Sequence, residues 1–528
     1  MTAIVDGHRK NFLKFLQTDA FIFAAAGIAF LFHILTLDLL GISTLLIGAA
    51  ALFVFTEDTR APFTLFVCAI FVMSTKNSPG YFQNMSENYY LRPKAITVIA
   101  IDAVLFLAAA IYRIIKSRPD MKSGKLYIAF GALGLSFLLS GVGFAYYGQS
   151  LLFGAFQAFV YCGVYVFITA LFQKKEGLFD YVATLFTVLS ILVAAEIFWF
   201  YAEMIARGLF DNGIEGVKES FINFSKDKMI VGWGVSNVIG ETLITFTFFV
   251  VYKMQKSKNY ILYELLVFVN VFALFCTFNR AGIVCGLPIL AVLFIIAIVK
   301  SEKKRKMHLL IVVAAVFTLA VIAFLAILFV EGPSGTKSYG WHYFLNVIDD
   351  ALHGTVTFSN RDNLWKRAWE YFFDKPLFGS GYARAFYTRA GERGIAENTM
   401  FEVLFHNFVM QALGSSGLFG ALALGLFSTG VVMVLIKNYE GKVYVVSYAL
   451  AFTLIALLDI TYFIPYCPLF FILVICVAEK TVGTNKTEIT PESFSEPEKD
   501  ETKPLQGGAE PLCDGADVTE DKENGLQE

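Results

Sequence analysis

The chain has 528 residues, of which 57% are hydrophobic, 16% aromatic and only 16% charged, which is too little charge to cover the surface of a water-soluble fold. Repeated apolar runs of about 18 residues or more predict membrane-spanning helices, and the short alternating segments of a β-barrel are not evident. The formal net charge of −2 says little, because its sign varies sharply along the chain, and no nucleic-acid partner is expected.

In chain order, hydrophobic spans are predicted at 20–37, 39–56, 61–74, 96–115, 126–145, 150–172, 180–202, 231–253, 260–278, 281–299, 309–330, 413–436, 443–459 and 462–479. The expected fold is therefore all-α and polytopic, with about fourteen (12–14) transmembrane helices. The third span is short for a crossing and is read as tilted or re-entrant. Residues 1–330 hold the first eleven spans, 331–412 form a long polar extracytoplasmic loop, 413–479 hold the last three, and 480–528 form an acidic tail. That tail is rich in Pro, Glu, Asp, Thr and Gly with few aromatics, so it is expected to be disordered.

Lys and Arg concentrate in His8–Lys14, Arg113–Lys125, Lys174–Lys175, Lys253–Lys258, Lys300–Lys306 and Lys437–Lys442. The span order puts all six on one side, which the positive-inside rule assigns to the cytoplasm together with both termini. Residues 75–95, 203–230, the Asn279–Arg280 corner and 331–412 then face outward. Met1 to Leu16 is basic but lacks a cleavage site, so no cleavable signal is expected. Six of the seven cysteines lie in or beside hydrophobic runs without metal-ligand spacing, and are read as small apolar packing residues.

The outward segments hold the residues suited to chemistry. Arg280, between two spans in Asn279-Arg280-Ala281-Gly282, is not needed to close a turn and runs against the charge bias. It reads either as an arginine snorkelling to a lipid headgroup or as a fixed cation for an anionic substrate. Asn360 is placed to cap a helix from Arg361, whose apolar residues Leu364, Trp365, Ala368, Trp369 and Phe372 fall on one face, with Pro376 ending it. Such a helix would lie in the membrane interface, and Arg361 at its start would aim where Trp365 aims. Two converging guanidinium groups suit a pyrophosphate, because their planar forks match phosphate oxygens. Arg384, Arg389 and Arg393 follow as solvated or acceptor-contacting residues. Of the six histidines only His406 stands where a polar loop enters a span, followed by Asn407 and Gln411, and it is suited to take a proton from a sugar hydroxyl. No Asp-x-Asp pair lies on an outward loop and no phosphate-binding Gly-Lys-Ser/Thr loop exists, which disfavours a carboxylate-bound metal and nucleotide hydrolysis.

The order Asn237, Asn-Arg-Ala-Gly at 279–282, Arg-x-x-x-Trp at 361–365, Pro-Leu-Phe-Gly-x-Gly at 376–381 and His-Asn-x-x-x-Gln-x-x-Gly-x-x-Gly at 406–417 resembles the O-antigen ligase/polymerase superfamily. Asn279 stands where the family usually has Ser. The resemblance implies a metal-independent membrane glycosyltransferase of the C type without cofactors. It would act at the outer face of the bacterial cytoplasmic membrane, with an undecaprenyl-pyrophosphate-linked glycan as donor and a glycan, lipid or protein as acceptor. It also implies that His406 is the base and that Arg280 and Arg361 bind pyrophosphate. Asn237, Trp365, Arg384, Asn407 and Gln411 are the supporting or acceptor-contacting candidates. The alternative reading is a polytopic transporter or lipid-linked oligosaccharide flippase, for which internal repeats and clustered intramembrane charges are expected. No repeat is evident, and Asp102, Glu196, Glu241 and Glu264 do not cluster in sequence.

Overall fold

The computed structural model describes residues 11–73, 93–144, 147–173, 176–206, 230–231, 234–277, 279–329, 361–385, 400–402, 405–459, 461–464 and 466–482. Residues 75–92 of the outward loop 75–95, most of 203–230, residues 331–360 with the Asn360 cap, His342 and His353, Arg389 and Arg393, and nearly all of the acidic tail lie outside the described residues.

Each of the predicted hydrophobic segments contains a helix, although the one predicted from 231 becomes helical only at Ser236, since Val231, Gly234 and Val235 lie in a short antiparallel pair. The helices are α1 (Asp19–Ile34), α2 (Asp38–Phe55), α3 (Arg60–Met73), α4 (Pro93–Ser117), α5 (Tyr127–Leu139), α6 (Tyr147–Leu171), α7 (Leu178–Ala206), α8 (Ser236–Lys256), α9 (Tyr260–Cys276), α10 (Gly282–Val299) and α11 (Lys303–Phe329). The short amphipathic α12 (Arg361–Asp374) follows, then α13 (Phe408–Leu435), α14 (Lys442–Ala456) and α15 (Tyr466–Lys480). Two small antiparallel pairs complete the described structure, Ile230–Val231 with Gly234–Val235 and Ala383–Ala385 with Met400–Glu402.

Among the described residues, six helices (α2, α4, α6, α7, α10 and α13) are long and apolar enough to cross a membrane. α1, α3, α5, α9 and α14 are apolar but have 10–17 residues. At 1.5 Å per residue such helices are roughly 15–25 Å long, less than the roughly 30 Å of a hydrocarbon core.

Burial separates an inner from an outer layer. The apolar window of α7 is 78% buried, whereas that of α4 is 22% buried. α8 and α15 join α7 at the centre, where Phe186 meets Phe246, Phe249, Tyr448 and Phe470 at ring separations of 4.6, 4.8, 6.0 and 5.6 Å. The outer helices leave large apolar side chains uncovered, among them Val104, Leu152, Val284 and Leu422, as expected where lipid replaces water. Some of the polar groups inside join helices: Asn270 on α9 donates to Ser190 on α7 at 3.0 Å and to Thr247 on α8 at 3.2 Å.

Charge divides the ends of the bundle. Near the end of α8, Lys253 pairs with Asp180 at 2.9 Å and Asp19 at 3.6 Å. Asn237 stands at the start of the same helix, about 24 Å away along its axis. The candidate site gathers at the Asn237 end.

α13 is broken where it enters the bundle. Gly417 has φ 65° and ψ −153°, a backbone state open to glycine and costly for other residues. The break frees backbone groups that would be expensive to leave unpaired in a membrane. The Pro376–Gly381 turn takes them up: Leu418 and Phe419 donate to the carbonyls of Pro376 and Leu377 at 2.7 and 3.2 Å. In return, Ser380 and Gly381 donate to the carbonyls of Gly414 and Ser415 at 3.0 and 2.9 Å. The fit requires Gly379, with φ 64°, since a Cβ there would lie 2.3 Å from the carbonyl carbon of Ser415. Pro376 closes α12 as the sequence predicts, but the turn after it also repairs another helix.

Candidate active site

The site is organised around Asp459, which follows α14 and is 3% exposed. Its Oδ1 accepts from Nδ1 of His406 at 3.0 Å. Its Oδ2 accepts from Nη2 of Arg361 and from Nδ2 of Asn237, both at 3.2 Å. Three residues picked out from sequence thus meet on a fourth that was not. A buried carboxylate needs such partners, because removing it from water unpaired is very costly.

The turn carrying Asp459 is held residue by residue. Asn407 donates through Nδ2 to the carbonyl of Leu457 at 2.8 Å, and Arg361 donates through Nη1 to the carbonyl of Leu458. Two residues further on, Thr461 donates to Glu241 at 2.5 Å, one turn along α8 from Asn237. Asn407 also caps α13, its Oδ1 accepting from the amides of Val409 and Met410 at 2.9 and 3.0 Å. That cap starts the helix at Phe408, five residues before the predicted span at 413.

His406 is fixed from the other side. The backbone of Phe405 donates to Oε1 of Gln411 at 2.9 Å and accepts from Nε1 of Trp365 at 3.1 Å. Its ring is fully buried beside Tyr371, at a ring separation of 5.8 Å. Gln411 is anchored in turn on Ser415 at 2.8 Å, beside the break in α13. Between Phe405 and the Asn407 cap, His406 has φ 49°, the left-handed region that non-glycine residues seldom occupy. Strain of this kind persists where surrounding contacts over-determine the backbone, as they do here.

These contacts set the chemistry of the imidazole. With Nδ1–H donating to Asp459, the neutral ring carries its lone pair on Nε2. The His406 side chain is 35% exposed while that of Asp459 is 4% exposed. The ring therefore has a carboxylate behind it and an accessible nitrogen in front. Such an arrangement can accept a proton and stabilise the resulting imidazolium.

Arg280 is exposed at the N-terminal end of α10 and makes no hydrogen bond or ion pair with another described residue. Its neighbour Asn279 is fully buried and donates through Nδ2 to the carbonyl of Asn237, while its Oδ1 accepts from the amide of Gly282 at 2.7 Å. Asn279 therefore ties the Arg280 corner to the residue that holds Asp459. Arg384 pairs through its backbone with Phe401, and its side chain lies outside the described residues. α12 packs through Leu364, Ala368 and Tyr371 near Phe405 and Met410, while Trp369 and Phe373 stack at 6.0 Å on its exposed side. Among the described residues, no group of three or more His, Cys, Asp or Glu is arranged to hold a metal ion.

Fold and site together define a multi-pass helical membrane protein with a histidine–carboxylate pair at one end of its bundle. Residues 265–425 match the family model described as O-antigen ligase, which supports the resemblance to the O-antigen ligase/polymerase superfamily. The match includes Arg280, Arg361, Trp365, His406, Asn407 and Gln411, and Asn237 and Asp459 lie outside it. The domain implies glycosyl transfer in general, between a lipid-linked glycan donor and an acceptor. A comparison with curated proteins gives no match.

Proposed function

We propose that the chain transfers a glycan from undecaprenyl pyrophosphate to an acceptor hydroxyl at the outer face of the cytoplasmic membrane, as an O-antigen ligase or a polysaccharide polymerase. The observation that carries this reading is the contact between His406 Nδ1 and Asp459, which leaves Nε2 available as a base. The acceptor hydroxyl gives its proton to Nε2 as its oxygen bonds to the anomeric carbon. The bond from that carbon to the pyrophosphate oxygen breaks, and the electron pair leaves with undecaprenyl pyrophosphate. A single displacement of this kind inverts the anomeric centre.

Each neighbouring residue then has a distinct task. Asp459 holds the ring in the Nδ1–H tautomer and stabilises the imidazolium. Arg361 steadies Asp459 through one edge of its guanidinium, and its remaining N–H groups serve the pyrophosphate. Arg280, whose charge is not spent on a described carboxylate, supplies the second cation as negative charge builds on the leaving group. No step requires a bound metal, so the reaction is proposed to be metal-independent. The outward placement of the site is supported by the basic residues Lys253 and Lys256 in the last turn of α8, at the end away from Asn237.

The test is a purified-protein assay with a lipid-linked glycan, an acceptor and excess chelator. Glycan transfer with inverted configuration is expected. Movement of the lipid-linked glycan across a bilayer without transfer would support the transporter or flippase alternative instead.

A further inference from the structure

At the Lys253 end of the bundle lies a charged cavity that the transfer reaction leaves unused. α2 ends at Phe55, and the turn after it brings Glu57 and Asp58 beside the last turns of α4, which carry Arg113 and Lys116. Two adjoining cavities of about 510 and 220 Å³ share Glu57, Asp58 and Arg113 in their walls. Arg113 is 8% exposed, and its Nε is buried without a hydrogen-bond partner. No ion pair joins its guanidinium to another described residue, although a buried guanidinium without a partner is costly.

The wall of the larger cavity indicates the kind of ligand. Its charged side chains are two cations, Arg113 and Lys116, and two anions, Glu57 and Asp58. A purely anionic group would meet the carboxylates as well as the cations. A group with one phosphate and one ammonium finds an opposite charge for each. A primary ammonium also donates hydrogen bonds to carboxylates, which a quaternary one cannot. The rest of the wall includes Leu13, Leu16, Val54 and Phe55. Phe55 in that wall and Ile115, two residues from Arg113 on α4, leave apolar surface open, being 77% and 69% exposed. That surface suits acyl chains and gives a free phosphate compound no advantage.

We propose that this cavity binds the headgroup of a phosphoethanolamine phospholipid, with phosphate on Arg113 and Lys116 and ammonium on Glu57 and Asp58. The site is separate from His406 and does not rest on the reading of the transfer reaction.

The experiment is a titration of the full-length, delipidated protein in detergent, followed by native mass spectrometry. The probes are short-chain phosphatidylethanolamine, phosphatidylglycerol and phosphatidylcholine, together with soluble glycerophosphoethanolamine and inorganic phosphate. Phosphatidylethanolamine should bind most tightly, and the soluble compounds much more weakly. Glu57 and Lys116 are exposed, so E57Q and K116Q should fold normally. Each should weaken phosphatidylethanolamine binding by up to about fivefold, the scale of one exposed charge contact. E57Q should also narrow the preference over phosphatidylglycerol. Arg113→Gln should weaken binding by more than about tenfold, the scale of a buried charge contact. Equal binding of the three lipids, or unchanged binding in both E57Q and K116Q, would overturn the proposal. So would glycerophosphoethanolamine or phosphate binding as tightly as the lipid, which would mark a soluble-phosphate site.

Discussion

His406 and Asp459 meet at 3.0 Å across 53 residues of chain, Nδ1 against Oδ1, with the histidine in a left-handed backbone state. Everything around them restricts movement: Gln411 and Trp365 hold the residue before the histidine, and Asn407, Arg361 and Asn237 hold the carboxylate and its turn. An arrangement fixed from so many elements suits a proton transfer that must not depend on side-chain searching.

Asp459→Asn should lower turnover more than it changes donor affinity. Its amide can present N–H to Nδ1 and favour the tautomer with the proton on Nε2, the wrong nitrogen for a base. The expected loss in kcat is on the order of 10²–10⁴-fold, the usual worth of general-base assistance. Adding Asp459→Asn to a His406→Ala background should cost little more, because the two act as a unit. Steady-state kinetics of the two single variants and the double variant check this. Additive losses would assign Asp459 a separate task.

Gly379→Ala and Gly417→Ala should destabilise the fold as well as the site. A Cβ on Gly417 would lie 2.7 Å from the backbone of Leu377, and both glycines have positive φ. Strain of this kind typically costs about 1–3 kcal/mol per residue. Thermal unfolding of the detergent-solubilised variants should show lower midpoints for both, whereas Gly425→Ala should be close to neutral, since no atom lies within 4 Å of a Cβ there.

Much of this was legible in sequence. Apolar runs located the helices because lipid makes hydrophobicity the dominant constraint on where they fall. His406, Asn407 and Gln411 stood out as polar residues at the entrance to a span, and Arg361 as the cation at the start of an amphipathic helix. Asp459 did not, since it reads as the last residue of the apolar stretch 443–459 and its partners are 53, 98 and 222 residues away. A lone carboxylate at the same end of the bundle as His406 was the one available signal. Asn279 looked like a turn former, yet it connects two helices. The Pro376–Gly381 turn looked like a helix stop, and its pairing with the break at Gly417 emerges only when α12 and α13 lie together.

Cysteines placed singly at exposed positions of the two ends should differ in accessibility. Lys366→Cys on α12 should react with an impermeant thiol reagent in intact cells, and Lys303→Cys at the start of α11 only after permeabilisation. This follows from the basic clusters and from the placement of Lys253 and Asn237 at opposite ends of α8. The reverse pattern would invert the proposed topology.

The most direct measurement of the central claim is single-turnover glycan transfer by purified wild-type, His406→Ala and Arg361→Lys proteins, each with excess chelator. Wild-type activity should survive the chelator. His406→Ala should lose on the order of 10²–10⁴-fold in rate while still binding the donor. Arg361→Lys should lose on the order of 10²–10³-fold, since an ammonium cannot hold Asp459 and the Leu458 carbonyl while also serving a phosphate. Full activity of His406→Ala, or loss of wild-type activity to the chelator, would contradict the account.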